Sequence, residues 1–221
     1  MASHLDLEEQ EQLEQLKAFW KRWGNPIVWV LTLCLLGYAG WTGWNILQRN
    51  KAAEASVLFT QLERAVKSGD LNGGQGLWAQ LQKGYASTAY AAQGALLTAK
   101  LQLDKGKVDE AKASLNWAAA NAAEPSYADL ARLRLAALQM DAKQYDEAAK
   151  TLEGVKGADF APLVADRRGD IALLQNKPDQ AKTEFKKAYD GLDKQLDYRR
   201  MVEMKLASLG VSVETDKETV Q

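Results

Sequence analysis

The chain has 221 residues, and its 28 Lys plus Arg against 29 Asp plus Glu leave a formal net charge of −1. That balance excludes the strongly basic surface of a nucleic-acid-binding module, so no nucleic acid is expected as partner. One cysteine, Cys34, and one histidine, His4 in the N-terminal tail, leave no material for an intramolecular disulfide, a thiolate metal site or a histidine base.

Residues 1–25 hold five acids before Lys17, Lys21 and Arg22, and they place Leu13, Leu16, Trp20 and Trp23 at helical spacing. Acids early and bases late suit a helix dipole, and the spacing predicts a short amphipathic helix. Such a tail either lies against a membrane surface or docks a cytoplasmic partner.

No charge occurs between Arg22 and Arg49. Residues 26–47, PIVWVLTLCLLGYAGWTGWNIL, would make a helix about 33 Å long at ~1.5 Å per residue. Hydrocarbon is about 30 Å thick, and a helix satisfies every backbone group within one segment. Trp20 and Trp23 at one end and Trp41 and Trp44 at the other form aromatic belts, with Lys21, Arg22, Arg49 and Lys51 as charged stops. A cleaved signal peptide has a basic start and a shorter apolar core, whereas this segment follows an acidic tail. A lipoprotein signal is disfavoured by Leu33 before Cys34 and by the apolar run beyond it. Gly37, Ala39, Gly40 and Gly43 would offer a smooth face to a neighbouring membrane helix. Basic residues flank both ends, so charge alone does not choose an orientation, although the short N-terminal flank leans towards the cytoplasm.

Residues 48–209 read as a helical repeat array. Leu58, Leu62 and Ala65 continue a helix out of the membrane segment, and Leu77, Trp78 and Leu81 mark a shorter one after a loop expected over residues 69–76. The hexapeptide GKVDEA at residues 106–111 then returns as KQYDEA at 143–148 and NKPDQA at 176–181. After each lies a stripe at i, i+4, i+7: Ala111, Leu115 and Ala118; Ala148, Leu152 and Val155; Ala181, Phe185 and Ala188. Before each lies a partner helix carrying Leu96, Leu97 and Leu103, then Leu130, Leu133 and Leu138, then Val164, Ile171 and Leu174.

The reference alanines are 37 and 33 residues apart, the period of a tetratricopeptide helix pair. The hexapeptide is therefore the turn between paired helices. Gly106, Lys143 or Asn176 ends one helix, and Asp109, Asp146 or Asp179 opens the next, where an acid complements the dipole. Gly169 matches the small residue of a tetratricopeptide first helix, with Ala99 and Ala136 in its place elsewhere. Val202, Leu206 and Leu209 form a last stripe that should cover the open end of the stack. Residues 210–221 have no partner pattern and are expected to be disordered. The fold class is all-α: one N-terminal transmembrane helix followed by a tetratricopeptide-like solenoid of helical hairpins.

The acidic tail, the crossing helix and an array containing ADLARLRLAALQM, VADRRGDIALLQ and MVEMKLASLG together resemble the YfgM family of ancillary subunits of the bacterial SecYEG translocon. That resemblance implies an inner-membrane protein with a cytoplasmic N-terminus and periplasmic repeats. It also implies association with SecYEG and with the periplasmic chaperone PpiD, help to exported polypeptides, and a link to envelope stress through the tail. No catalytic residues accompany it, and no nucleophile, base or metal constellation can be assembled from the chain. Two other functions stay open from residues alone: a regulator acting through its tail, and an assembly factor of the cytochrome c maturation type. By repeat register the concave face, where extended partners lie, would present Gln93, Leu96, Lys100, Leu130, Leu133, Ala137, Asp166 and Asp170. Arg167, Arg168 and Asp170 also suit a structural ion-pair cluster.

Overall fold

The computed structural model describes residues 7–213, and the chain divides into two compact units, Met1–Asn50 and Lys51–Gln221. Nine α-helices account for the described residues, with no strand among them. They are α1 (Leu7–Ser68), α2 (Leu71–Gly84), α3 (Ala89–Asp104), α4 (Val108–Asn121), α5 (Pro125–Asp141), α6 (Tyr145–Glu153), α7 (Ala161–Leu174), α8 (Pro178–Gly191) and α9 (Asp197–Ser208), with a 3-10 turn at Ala158–Phe160.

In the first unit residues 7–25 and the apolar segment belong to one helix that runs through Pro26. Proline removes one N–H from the ladder, and at this turn the Trp20 ring lies over Gly24, where a Cβ would meet it at 3.2 Å. Among the described residues α1 is the one helix long and apolar enough to cross a membrane, and none of its most apolar stretch is buried within the chain.

The second unit is a stack of helix pairs. Helices α3 and α4, α4 and α5, α5 and α6, α7 and α8, and α8 and α9 pack against each other in sequence, while α3 also touches α5 and α5 touches α7. The reference alanines Ala111, Ala148 and Ala181 are all fully buried, and Leu115, Leu152 and Phe185 one turn later are buried with them. The small residue is what allows the pairs to approach. At Gly169 a Cβ would sit 2.5 Å from the Phe185 ring of α8.

Each of the three hexapeptides begins with a residue of left-handed backbone: Gly106 (φ 71), Lys143 (φ 60) and Asn176 (φ 57). Each closes the preceding helix with the same pair of bonds. The Gly106 N–H donates to Leu103 O at 2.9 Å and the Lys107 N–H to Gln102 O at 2.7 Å. Lys143 and Gln144 donate in the same way to Met140 and Gln139, and Asn176 and Lys177 to Leu173 and Ala172.

Two further copies escaped the sequence. Gly69 (φ 69) and Gly210 (φ 76) end α1 and α9 with the same bonds, Asp70 N–H to Ala65 O at 2.9 Å and Val211 N–H to Leu206 O at 3.0 Å. Every odd-numbered helix therefore stops by one device, and the stops are 37, 37, 33 and 34 residues apart.

The structure corrects three local expectations. Residues 69–76 are not a loop: the turn is Gly69 and Asp70, and α2 already begins at Leu71, capped by Asp70 Oδ1, which accepts from the Gly73 N–H at 3.0 Å. The buried Gly74 sits where the later repeats have alanine, and a Cβ there would meet Leu101 at 2.9 Å. Glycines that read as loop in sequence are thus a close helix contact. Next, Val155 lies beyond the end of α6, which has 9 residues where α4 and α8 have 14. The chain leaves the helix because the Asp129 carboxylate binds the N–H groups of Lys156 (3.2 Å) and Gly157 (2.7 Å). Finally, Val211 and Val213, assigned to the disordered tail, pack against the cluster formed by Phe185, Tyr189, Val202 and Leu206. The rest of that tail, residues 214–221, lies outside the described residues.

Candidate interaction surfaces

The first surface is the apolar flank of α1. Most large apolar side chains of the crossing segment are more than half exposed, with Trp29 at 69%, Leu35 at 67% and Tyr38 at 65%. Exposed apolar patches on a water-soluble surface seldom exceed a few hundred Å², so this flank needs a non-aqueous environment. Thr32 turns its hydroxyl inward, donating to Val28 O at 2.8 Å, and Tyr38 and Trp41 lie 6.2 Å apart along the same flank. Gly37, Gly40 and Gly43 have nothing within 4 Å of where a Cβ would stand. Nearer the N-terminus Leu16, Trp20 and Trp23 are exposed as well.

The second surface is formed by the odd-numbered helices of the stack. The eight residues predicted for it separate into two groups. Leu96 and Leu133 are core, 5% and 7% exposed, and Asp166 is fully buried beneath α9. Gln93, Leu130, Ala137 and Asp170 keep partial access, and Lys100 is exposed. Gln93 is fixed by its Nε2, which donates to the Tyr127 hydroxyl at 2.6 Å. Tyr90, at the position equivalent to Tyr127 one repeat earlier, packs at a tilt of 45° against Phe59 with centroids 5.6 Å apart.

Asp166 is buried with its charge matched. Lys205 of α9 donates to Asp166 Oδ1 and to Asp170 Oδ1, each at 2.7 Å, and the Tyr198 hydroxyl donates to Asp166 Oδ2 at 2.6 Å. Arg167 completes the cluster by donating to Asp170 Oδ2 at 3.1 Å. Burial pushes the Tyr198 phenol well above its ordinary range, and the hydrogen bond to Asp166 and that carboxylate's charge add to the shift. Asp166 and Asp170 therefore clip α9 onto α7. Arg168 is exposed and outside this network.

Sequence reasoning missed a second buried carboxylate, Asp129, 2% exposed. Beyond the two loop N–H groups it accepts from Arg132 Nη1 at 2.8 Å, and Arg132 Nη2 donates to Ala119 O at 2.7 Å. One acid thus ties together α4, α5 and the loop before α7. The Asp129 to Arg132 spacing on one helix face was the available signal.

The tetratricopeptide repeat-like domain family matches residues 17–211. A protein of Neisseria gonorrhoeae strain FA 1090 called "Ancillary SecYEG translocon subunit" is 31% identical over 95% of this chain and 100% of its own length. The chain belongs to this family. Members with the same name in Haemophilus influenzae strain Rd and Escherichia coli strain K12 are 32% and 28% identical, over 92% of the chain and 98% and 97% of their own lengths. The family resemblance expected from the order of tail, apolar helix and degenerate repeats is thereby established, together with the tetratricopeptide-like class of the fold. Because the matches run nearly end to end in both directions, they take in the apolar flank as well as the repeats of this family member.

Proposed function

We propose that the protein is a single-pass inner-membrane subunit that associates with the SecYEG translocon through residues 26–47. Residues 1–25 stay in the cytoplasm, and the repeat unit over residues 48–209 lies in the periplasm. There it holds a PpiD-like chaperone and exported polypeptides, working through surface shape and not through bond-making. The observation that carries this reading is the near full-length match to relatives named as ancillary SecYEG translocon subunits. An apolar flank with no cover in the chain supports a membrane helix that packs on lipid and on other membrane helices. For partner contact the accessible members of the predicted face remain, Gln93, Lys100, Leu130, Ala137 and Asp170. Photocrosslinkers placed at Gly40 and at Lys100 in native membranes test both surfaces. Gly40 should recover translocon subunits, and Lys100 a periplasmic chaperone or exported chains. Recovery of neither class overturns the reading.

A regulatory role for the tail has one observation in its favour, the exposed Leu16, Trp20 and Trp23 beside the Lys17 and Lys21 cations. Deletion of residues 2–15 separates the two: translocon association should persist while stress-response control is lost.

A further inference from the structure

The face of the odd-numbered helices extends one repeat further, because α9 ends by the same left-handed stop as the odd-numbered helices before it. In that register α9 is the first helix of a repeat. Counted back from each stop, the residue 10 positions earlier is Leu96 on α3, Leu133 on α5, Asp166 on α7 and Arg200 on α9. The residue 6 positions earlier is Lys100, Ala137, Asp170 and Met204 in turn.

On three of these helices that face receives the next odd-numbered helix. Leu96 shares a buried cluster with Ala131 and Leu135 of α5, and its carbonyl accepts from Arg134 Nη1 at 3.4 Å. Leu133 is buried with Val164 and Ile171 of α7. Asp166 and Asp170 take Lys205 of α9. The equivalent positions of α9 lie open among the described residues: Met204 is 64% exposed, and Arg200 is exposed and makes no ion pair there. Met201, 51% exposed, and the exposed Ala207 lie one turn either side of Met204 on the same flank. We propose that this open face of α9 binds an amphipathic helix of another protein, one that carries a carboxylate beside its apolar stripe. The proposal rests on the repeat register and stands apart from the translocon reading.

Continuity of the stack selects a helix as the occupant, since every equivalent face before α9 is covered by one. Terminal helices of a repeat stack ordinarily turn a polar face outward, whereas α9 turns out two methionines. Methionine is unbranched and polarizable and adapts to apolar partners of differing shape. A helix laid on such a surface anchors through residues at i, i+3, i+4 and i+7. Charge selects what flanks that stripe. On α7 the receiving residue is Asp166 and the incoming helix brings Lys205; on α9 the receiving residue is Arg200, so the complementary group is a carboxylate. Glu203 does not compete for this face, because it stands 7 positions before the stop, where Gly169 of α7 turns towards Phe185 of α8.

The test uses the full-length chain in zwitterionic lipid nanodiscs with ¹³C-methyl methionine. The probe is an acetylated, amidated alanine-based helix with leucines at i, i+3, i+4 and i+7 and one glutamate beside them. It should move the Met201 and Met204 methyl signals together along a saturable curve, with the half-buried Met140 unmoved. Exchanging the probe's glutamate for lysine should weaken binding about two- to fivefold, the range of one exposed ion pair. Arg200→Glu, a change at an exposed position, should reverse that preference, and Met204→Gln should weaken both probes. The proposal is overturned by absent shifts, by equal shifts with a scrambled probe that has no stripe, or by a preference that Arg200→Glu leaves unchanged. It is overturned as well if the two signals move with protein concentration alone, which makes a second copy the occupant, or on deletion of residues 214–221, which makes the occupant the chain's own tail.

Discussion

Lys143 and Asn176 hold the left-handed conformation that Gly69, Gly106 and Gly210 hold at the equivalent stops. For a residue with a Cβ that conformation costs about 1–2 kcal/mol, partly offset in a comparison with glycine by glycine's looser unfolded chain. Lys143→Gly should therefore raise stability by about 0.5–1 kcal/mol, seen as a higher urea midpoint with an unchanged slope. Gly106→Ala should lower it by about 1 kcal/mol. Tyr198 gives a pH dependence at the same scale. Its phenol is held above the ordinary value of 10.0 by burial first and by Asp166 second. In the folded chain it keeps its proton at pH values where the unfolded chain has lost one, so stability falls as pH rises from about 10. Urea titrations between pH 9 and 11 should show that decline, and Tyr198→Phe should flatten it. The stops at Gly106, Lys143 and Asn176 were legible because each is followed by the same acid and the same alanine. That at Gly69 was obscured by GDLNGG, which replaces the alanine by Gly74 and reads as a flexible run.

Helix against helix, the stack is set by one small residue meeting one large one. Gly169→Ala places a Cβ 2.5 Å from the Phe185 ring, so α7 and α8 must separate or the ring must turn. The expected loss is about 1–3 kcal/mol, measured by chemical denaturation. The last helix is held differently. Val202 and Leu206 bury one face of α9, and Lys205 at its flank bridges Asp166 and Asp170. Removing a partner from a buried charge leaves it uncompensated, at about 3–5 kcal/mol. Lys205→Met should accordingly destabilise the chain, and hydrogen exchange should show protection lost first across Asp197–Ser208. The apolar stripe of α9 was visible in the sequence as a 3.6-residue pattern. Its ionic clip was not, because Asp166 and Lys205 are 39 residues apart and no local rule pairs them.

At the level of the whole chain, the two units answer to two solvents. Full-length protein should partition into the detergent phase of a cloud-point extraction, and a chain beginning at Lys51 should move to the aqueous phase, because the exposed apolar flank of α1 leaves with residues 1–50. Retention of the shortened chain in detergent would mean that the repeat unit carries its own membrane surface. Periodicity and run length, read from the residues alone, settled the all-α class, the apolar helix and the repeat period, since each depends only on spacing along the chain, while the family came from the resemblance of its stretches and their order. Only tertiary packing decided that Leu96 and Leu133 are core, that Asp166 is covered by α9, that Asp129 cuts α6 short, and that Met201 and Met204 stay open on α9. Burial and charge pairing are properties of residues brought together from distant repeats, and a one-dimensional pattern marks which face a residue occupies without naming what lies across from it.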